Sequence, residues 1–287
     1  MLVKRIVLLF FRDKANVFFS LLAVLIILAL YILFLGNMME QALAASLGYE
    51  SEKISVTIAS LTLGGMVAVT SITGCMGALG ISVSDKENAA KDFLSSPVSR
   101  NKLTLSYILG STVVGFMMTI IALVICMVYI ITNGESVPGA ETALYLLLTV
   151  MLSVLCGNAM VYFLSIFVKT QNAFASVSTV LGTLIGFLMG IYIPIGQMPE
   201  SVQWVIKCFP MSHAASMFRQ LLADDLLSEL FNHAPPGALD EFRDIFGVVF
   251  VYGDYSSGFW TSAAVLGLSA VVFFMLSIGL MRTKKLG

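Results

Sequence analysis

Side chains able to do acid–base or nucleophilic chemistry are few in this chain, and they stand outside its longest apolar runs. His213 and His233 are the only two histidines. With Arg219, Asp224 and Asp225 they are the set from which a membrane-embedded lipid hydrolase or transferase would draw an acid, a base and a charge stabiliser. Their spacing makes no Ser–His–Asp or His–Glu pattern. Cys75, Cys126 and Cys156 lie within apolar runs, and Cys208 stands apart from them. An internal disulfide in the exterior loops is therefore not expected, and no Cys/His spacing suggests zinc. No G-x-x-x-x-G-K-[ST] run is present to cradle a nucleotide phosphate. The chain is expected to hold no catalytic residue, cofactor or metal, and to bind no nucleic acid.

The elements that must position these groups are six long apolar stretches: Ala15–Met39, Ile54–Ser84, Leu103–Gly134, Thr142–Val168, Thr170–Pro199 and Tyr255–Met281. Each exceeds the roughly 20 apolar residues that cross a bilayer core. None contains any of the 16 basic or 17 acidic residues. Only 11% of the chain is charged, against about 25% in a soluble domain. The expected fold is an all-α polytopic membrane protein, a single domain over 1–287, with spans at about 17–38, 56–83, 103–132, 142–168, 172–193 and 258–281. Proton relays and ion sites are built from intramembrane charges. Their absence from these stretches, with no clear repeat between the halves, counts against an ion-driven carrier or channel and places the energy source outside the bilayer.

Charge placement sets the orientation. Lys4, Arg5, Arg12, Lys14, Lys86, Lys91, Arg100, Lys102, Lys169, Arg282, Lys284 and Lys285 fall on one side, and only Lys53, Lys207, Arg219 and Arg243 on the other. The positive-inside rule then puts both termini in the cytoplasm. The first apolar run is too long for the core of a cleaved signal peptide and is expected to be retained as a span.

Residues 1–15 project Val3, Ile6, Val7, Phe10 and Val17 to one side, with Arg5, Arg12 and Asn16 opposite. That pattern fits an interfacial helix on the inner leaflet, with Arg5, Phe10, Arg12 and Lys14 at the headgroups, or a plain basic anchor. Residues 40–53 read as a short exterior excursion and 133–141 as a turn. Gly64, Gly65, Gly74, Gly77 and Gly80 in the second stretch permit close helix approach or a bend. Gly182, Gly186 and Gly190 share one face by spacing, either a contact between protomers or packing within one. Asn158 either lines a pathway or bonds one helix to another. The 16 methionines make an adaptable surface or fill the core.

The region 194–257 is too long for a tight connection. Pro194, Pro199 and Pro210 divide it into short helices, and the apolar run Cys208–Phe218 is too short to span, so it re-enters or lies in the interface. Trp204 suits an interface position. Residues 224–254 are acidic and expected to be solvated.

The inward loop 84–102, SDKENAAKDFLSSPVSRNK, carries the most specific pattern. Ser84 can cap a short helix, with Asp85 and Glu87 at its positive end. Phe93 and Leu94 supply an apolar patch, and Pro97 ends it. Such a helix either plugs a groove on another protein or is a solvated connector.

Asp85, Glu87, Asp92, Phe93 and Leu94, followed by Pro97 and Arg100 of the Ser-Pro-Val-Ser-Arg run, resemble the coupling-helix loop of type-2 ABC transporter permeases, the ABC-2 type exporter family. Phe11-Arg12-Asp13-Lys14 is similar to that family's N-terminal connecting helix. The run from Gly190 through Ile193-Pro194, Met198-Pro199 and Phe209-Pro210 to Phe218-Arg219 resembles its re-entrant exterior helices. Ala89-Ala90 stands where relatives often have Gly-Thr. The resemblance implies a permease subunit, homodimeric or heterodimeric, surrounded by membrane lipids and docked on a cytoplasmic ATPase that carries ATP and Mg. It implies export of an amphipathic cargo (drug, antimicrobial peptide or lipid-like molecule) across a bacterial cytoplasmic membrane.

Overall fold

Six helices are long and apolar enough to cross a membrane among the residues described by the computed structural model, which are 2–47, 51–88, 100–134, 137–232 and 234–283. The protein is an all-α polytopic membrane protein. A short surface helix, α1 (Leu2–Arg12), precedes the first span. That span is α2 (Lys14–Leu30), a π-helical turn over Tyr31–Leu35, and α3 (Gly36–Leu47). The next four are α4 (Glu52–Asn88), α5 (Arg100–Thr132), α6 (Ala140–Ser165) and α7 (Gln171–Leu188). The sixth is α11 (Phe259–Thr283).

Span one runs further than its apolar stretch. The excursion expected at 40–53 is helical up to Leu47. The π turn is where Gly36 is required, because a Cβ there would lie 2.9 Å from the Tyr31 carbonyl oxygen. α1 is docked on protein along one face. Ile6 and Phe10 are buried, against Gly110 of α5 and Gly77 of α4, while Leu8 and Leu9 on the polar side are exposed.

α4 is the central post. It packs against α2, α5, α6 and α7, and 83% of its most apolar window is buried, against 17% in α7 and α11. Its glycines make this possible. At Gly74 a Cβ would meet Met118 Cβ at 3.0 Å and the Gly115 Cα of α5 at 3.3 Å, so the missing side chain lets the two helices approach closely.

Between α7 and α11 lie α8 (Glu200–Cys208), α9 (Pro210–Leu230), α10 (Ala238–Ile245) and a two-stranded antiparallel hairpin, β1 (Val251–Tyr252) and β2 (Tyr255–Ser256). Pro210 starts α9 at its first turn, where a missing N–H costs nothing. α9 packs against α4, α6 and α11 and is buried from Met211 to Arg219. This non-spanning segment is covered by protein, as backbone at membrane depth must be. The expectation of a solvated 224–254 needs correction. Leu226, Leu227, Leu230, Val248 and Phe250 are buried, while Asp225, Glu229, Asp240, Glu241 and the turn at 235–237 are exposed.

Candidate functional site

A groove of about 1200 Å³ opens beside α4, with α1 and α2 on one wall and α7 on the other. Its floor is the α4 face of Thr73, Met76, Gly77, Gly80, Ile81 and Ser84. The α2 wall is apolar at Phe19, Leu22 and Ile26. The α7 wall presents Phe174, Ser178, Thr179, Gly182 and Thr183. Thr179 donates to the Ala175 carbonyl at 3.0 Å and Thr183 to the Thr179 carbonyl at 2.9 Å. Their donors are satisfied within the helix, so this wall offers methyls and acceptor oxygens but no charge.

Polar groups are concentrated at the α1 end. Arg5 makes a two-pronged contact with Asp85, at 2.8 and 3.1 Å. The Asp85 carboxylate raises the pKa of that guanidinium. Tyr107 of α5 donates to Asp85 at 2.6 Å. Asp13 sits at the break between α1 and α2 and accepts from the Ala15 and Asn16 amides at 3.1 Å each, capping α2. The amide of Gln171, first residue of α7, donates to Glu87 at 2.7 Å.

The other end is closed. Tyr192 packs over Gly186, leaving no room for a side chain there, and stands edge-on to Phe187 with ring centroids 5.0 Å apart. α7 ends in a Schellman motif, with the Ile191 amide donating to the Gly186 carbonyl and the Gly190 amide to that of Phe187. Gly190 has φ +60°, which glycine tolerates. Arg219 of α9, fully buried, ties this end down. Its Nη2 donates to the carbonyls of Met189 (2.7 Å) and Gly190 (3.1 Å), its Nε to Leu61 of α4 (3.2 Å) and its Nη1 to Gly247 (3.4 Å). A cation here meets the negative end of the α7 dipole. Among the described residues no carboxylate lies within ion-pair distance of it. Gly64 and Gly65 make the approach possible, since a Cβ on Gly65 would fall 3.1 Å from Nη2.

Several expectations change at this point. The apolar stretches are free of charge, yet the interior is not, because a loop arginine folds back against Leu61. That residue is nine positions into α4, roughly 13 Å along its axis. His213 is also buried, its ring 3.2 Å from Ser262 Oγ and 3.1 Å from the Lys207 carbonyl; burial lowers its pKa. Asp224 is paired with Arg243 at 2.6 Å. His233 lies outside the described residues. Among the described residues, His213 and the carboxylates therefore do not converge as a lipid-modifying enzyme needs. Gly190 lies beyond α7 and cannot share a helix face with Gly182 and Gly186; it is the C-terminal cap. A Cβ on Gly182 meets nothing within 4 Å, because that residue borders the groove.

Ser84 does not start a new helix, since α4 continues unbroken to Asn88. Asp85 and Glu87 therefore sit on its last turns and face α1, α5 and α7. Asp92, Phe93, Leu94 and Pro97 lie outside the described residues, and Arg100 opens α5. Asn158 is fully buried and joins α6 to α5. It accepts from Ser111 Oγ at 2.8 Å and donates to the Ile108 carbonyl at 2.9 Å and to Thr112 Oγ1 at 2.7 Å. It is a helix–helix link and does not border the groove.

The family model described as ABC-2 family transporter protein matches residues 41–278, over four-fifths of the chain. The chain belongs to the ABC-2 transporter family. No curated protein matches it. Members of this family form the membrane component of ABC transporters and are not themselves enzymes. In this ABC-2 protein the matched region holds the floor of the groove, its α7 wall and the Arg219 seal. The α1–α2 wall lies outside it. Sequence reasoning missed Arg219 as an internal group. The signal available was a lone arginine in the apolar run of α9, with two adjacent glycines on span two to receive it.

Proposed function

We propose that this chain is the permease subunit of an ATP-driven exporter in a bacterial cytoplasmic membrane, and that the groove receives an amphipathic cargo such as a drug, an antimicrobial peptide or a lipid-like molecule. The observation that carries the reading is the shape and chemistry of the groove. It is charged at the α1 end, apolar with hydroxyl acceptors along its length, and blind at the end sealed by Tyr192 and Arg219. The excess of Lys and Arg in the loops on the α1 side supports a cytoplasmic α1 end, which makes the proposed site inward-open. A second permease protomer completes the pathway, and a separate ATPase supplies ATP and Mg.

Energy enters at residues 84–102. α4 is continuous for 37 residues from Glu52 to Asn88, so a push on the loop displaces the groove floor as a rod. The Glu87–Gln171 and Asp85–Arg5 contacts pass the same displacement to both walls. Closure of the ATPase thereby narrows the groove from below and strains the carbonyl ties at the far end.

The test is Phe93→Asp in the intact chain, co-expressed with its ATPase and reconstituted. Cargo-stimulated ATP hydrolysis and transport are expected to fall at least tenfold, with membrane insertion unchanged. Transport at the unmodified rate would sink the coupling assignment. Robust nucleotide hydrolysis by the purified chain alone would sink the division of labour.

A further inference from the structure

We infer that the groove selects amphiphiles with an anionic head group, a phosphate or carboxylate, and that Arg12 is the residue that reads the charge. The inference rests on the groove being the cargo site. It concerns a residue outside the matched segment 41–278.

Four charged side chains border the groove: Arg5, Arg12, Asp13 and Asp85. Three of them are engaged by partners. Arg5 and Asp85 cancel as a two-pronged pair, and Asp85 also accepts from Tyr107. Both oxygens of Asp13 are committed, Oδ1 to two main-chain amides of α2 and Oδ2 to the Asn16 amide side chain at 2.9 Å. The negative charge of Asp13 moreover sits on the positive end of the α2 dipole. Arg12 is the remainder. It is exposed to the groove, and among the described residues it makes no hydrogen bond or ion pair. A guanidinium is a planar fork that receives two oxygens of a phosphate or carboxylate at once. Its place is set by the α1–α2 break, since it is the last residue of α1 and Asp13 starts α2.

Beyond this single cation the groove turns apolar at Phe19, Ile26 and Phe174. From Gln171 to Thr183, α7 offers roughly 18 Å of wall, enough for an alkyl chain. The site therefore offers one uncommitted guanidinium at its mouth and an apolar body, the complement of an anionic amphiphile.

The test uses the full chain in phosphatidylcholine nanodiscs, with radiolabelled dodecyl phosphate and dodecyltrimethylammonium measured against empty discs. The unmodified protein is expected to bind dodecyl phosphate about tenfold more tightly, the preference that one charge-assisted fork typically supplies. Arg12→Gln is expected to bring the two within about twofold, and Arg12→Lys to retain part of the preference. Lys4→Gln, which removes an exposed charge of α1 away from the groove, should leave the preference intact. Inorganic phosphate at equal concentration should not displace dodecyl phosphate; displacement would reduce the site to a head-group pocket and overturn the amphiphile assignment. Loss of preference in Lys4→Gln as large as in Arg12→Gln would make α1 a leaflet anchor and overturn the inference. Equal binding of both amphiphiles to the unmodified protein would overturn the head-group assignment and leave the cargo groove standing. Binding of neither would overturn both.

Discussion

Two arginines mark the two ends of this molecule, and they are held in opposite ways. Arg5 lies at the groove mouth, part-exposed, against a carboxylate and within reach of water. Arg219 lies at the closed end, fully buried, and is held by main-chain carbonyls of α4, α7 and the Gly247 turn. A carboxylate pair in a wet mouth is weak and exchanges readily for water or another ion. A buried guanidinium tied to several backbone segments has no such substitute, and releasing it strands every acceptor at once. The same residue type thus serves a yielding entrance and a stiff seal. In the inward-open transporter proposed above, that asymmetry would resist leakage at one end and leave the other free to admit cargo.

Substitutions at four positions probe that contrast, beginning with the largest expected effect. Arg219→Gln removes the fork from the seal and should cost ~3 kcal/mol or more, as loss of a buried charged donor does. A large fall in the thermal midpoint in detergent is the expected readout, with Arg219→Lys recovering only part because an ammonium cannot match the fork. A midpoint unchanged in Arg219→Gln would mean that the carbonyls are served by water and that the seal is soft. Next come two glycines one turn apart on α7. Gly186→Leu displaces Tyr192 and should destabilise by ~1–3 kcal/mol, as overpacking does. Gly182→Leu enters open space and should leave stability within about 0.5 kcal/mol while obstructing cargo; equal thermal midpoints for the two variants would erase the difference between groove and seal. Asp85→Asn should be milder than either Arg219→Gln or Gly186→Leu. The ion pair with Arg5 should be worth about 1 kcal/mol, and the loss should shrink in high salt. A salt-independent loss as large as that of Arg219→Gln would show that the mouth is as rigid as the seal.

Much of the architecture was legible before folding. Six charge-free stretches gave six spanning helices because in a bilayer backbone hydrogen bonds close within a helix, whatever its neighbours do. The break at Asp13 and the prolines ahead of α8 and α9 are local signals, and the structure shows helix ends beside each. Asp85 and Glu87 were visible as acidic residues at the inward end of span two. Their partners were not, since Arg5 is 80 residues from Asp85 and Gln171 is 84 from Glu87. The three glycines at four-residue spacing implied one continuous face. The chain instead caps α7 at Gly190, because a left-handed residue there closes a Schellman motif, and spacing alone does not reveal where a helix stops.

What this sequence determined by itself is the class of protein and its orientation signals, because hydropathy and the placement of lysine and arginine act through the solvent and need no long-range contact. Tertiary structure alone decided which residues are inside. Arg219 reads as an exterior-loop cation until α9 folds back on α4 and finds two glycines whose missing side chains make room for it. Arg12 reads as one of four basic residues before span one until Arg5 and Asp13 are taken by partners. In both cases the meaning of a charge depends on what neutralises it, and those partners are brought within reach only by the fold.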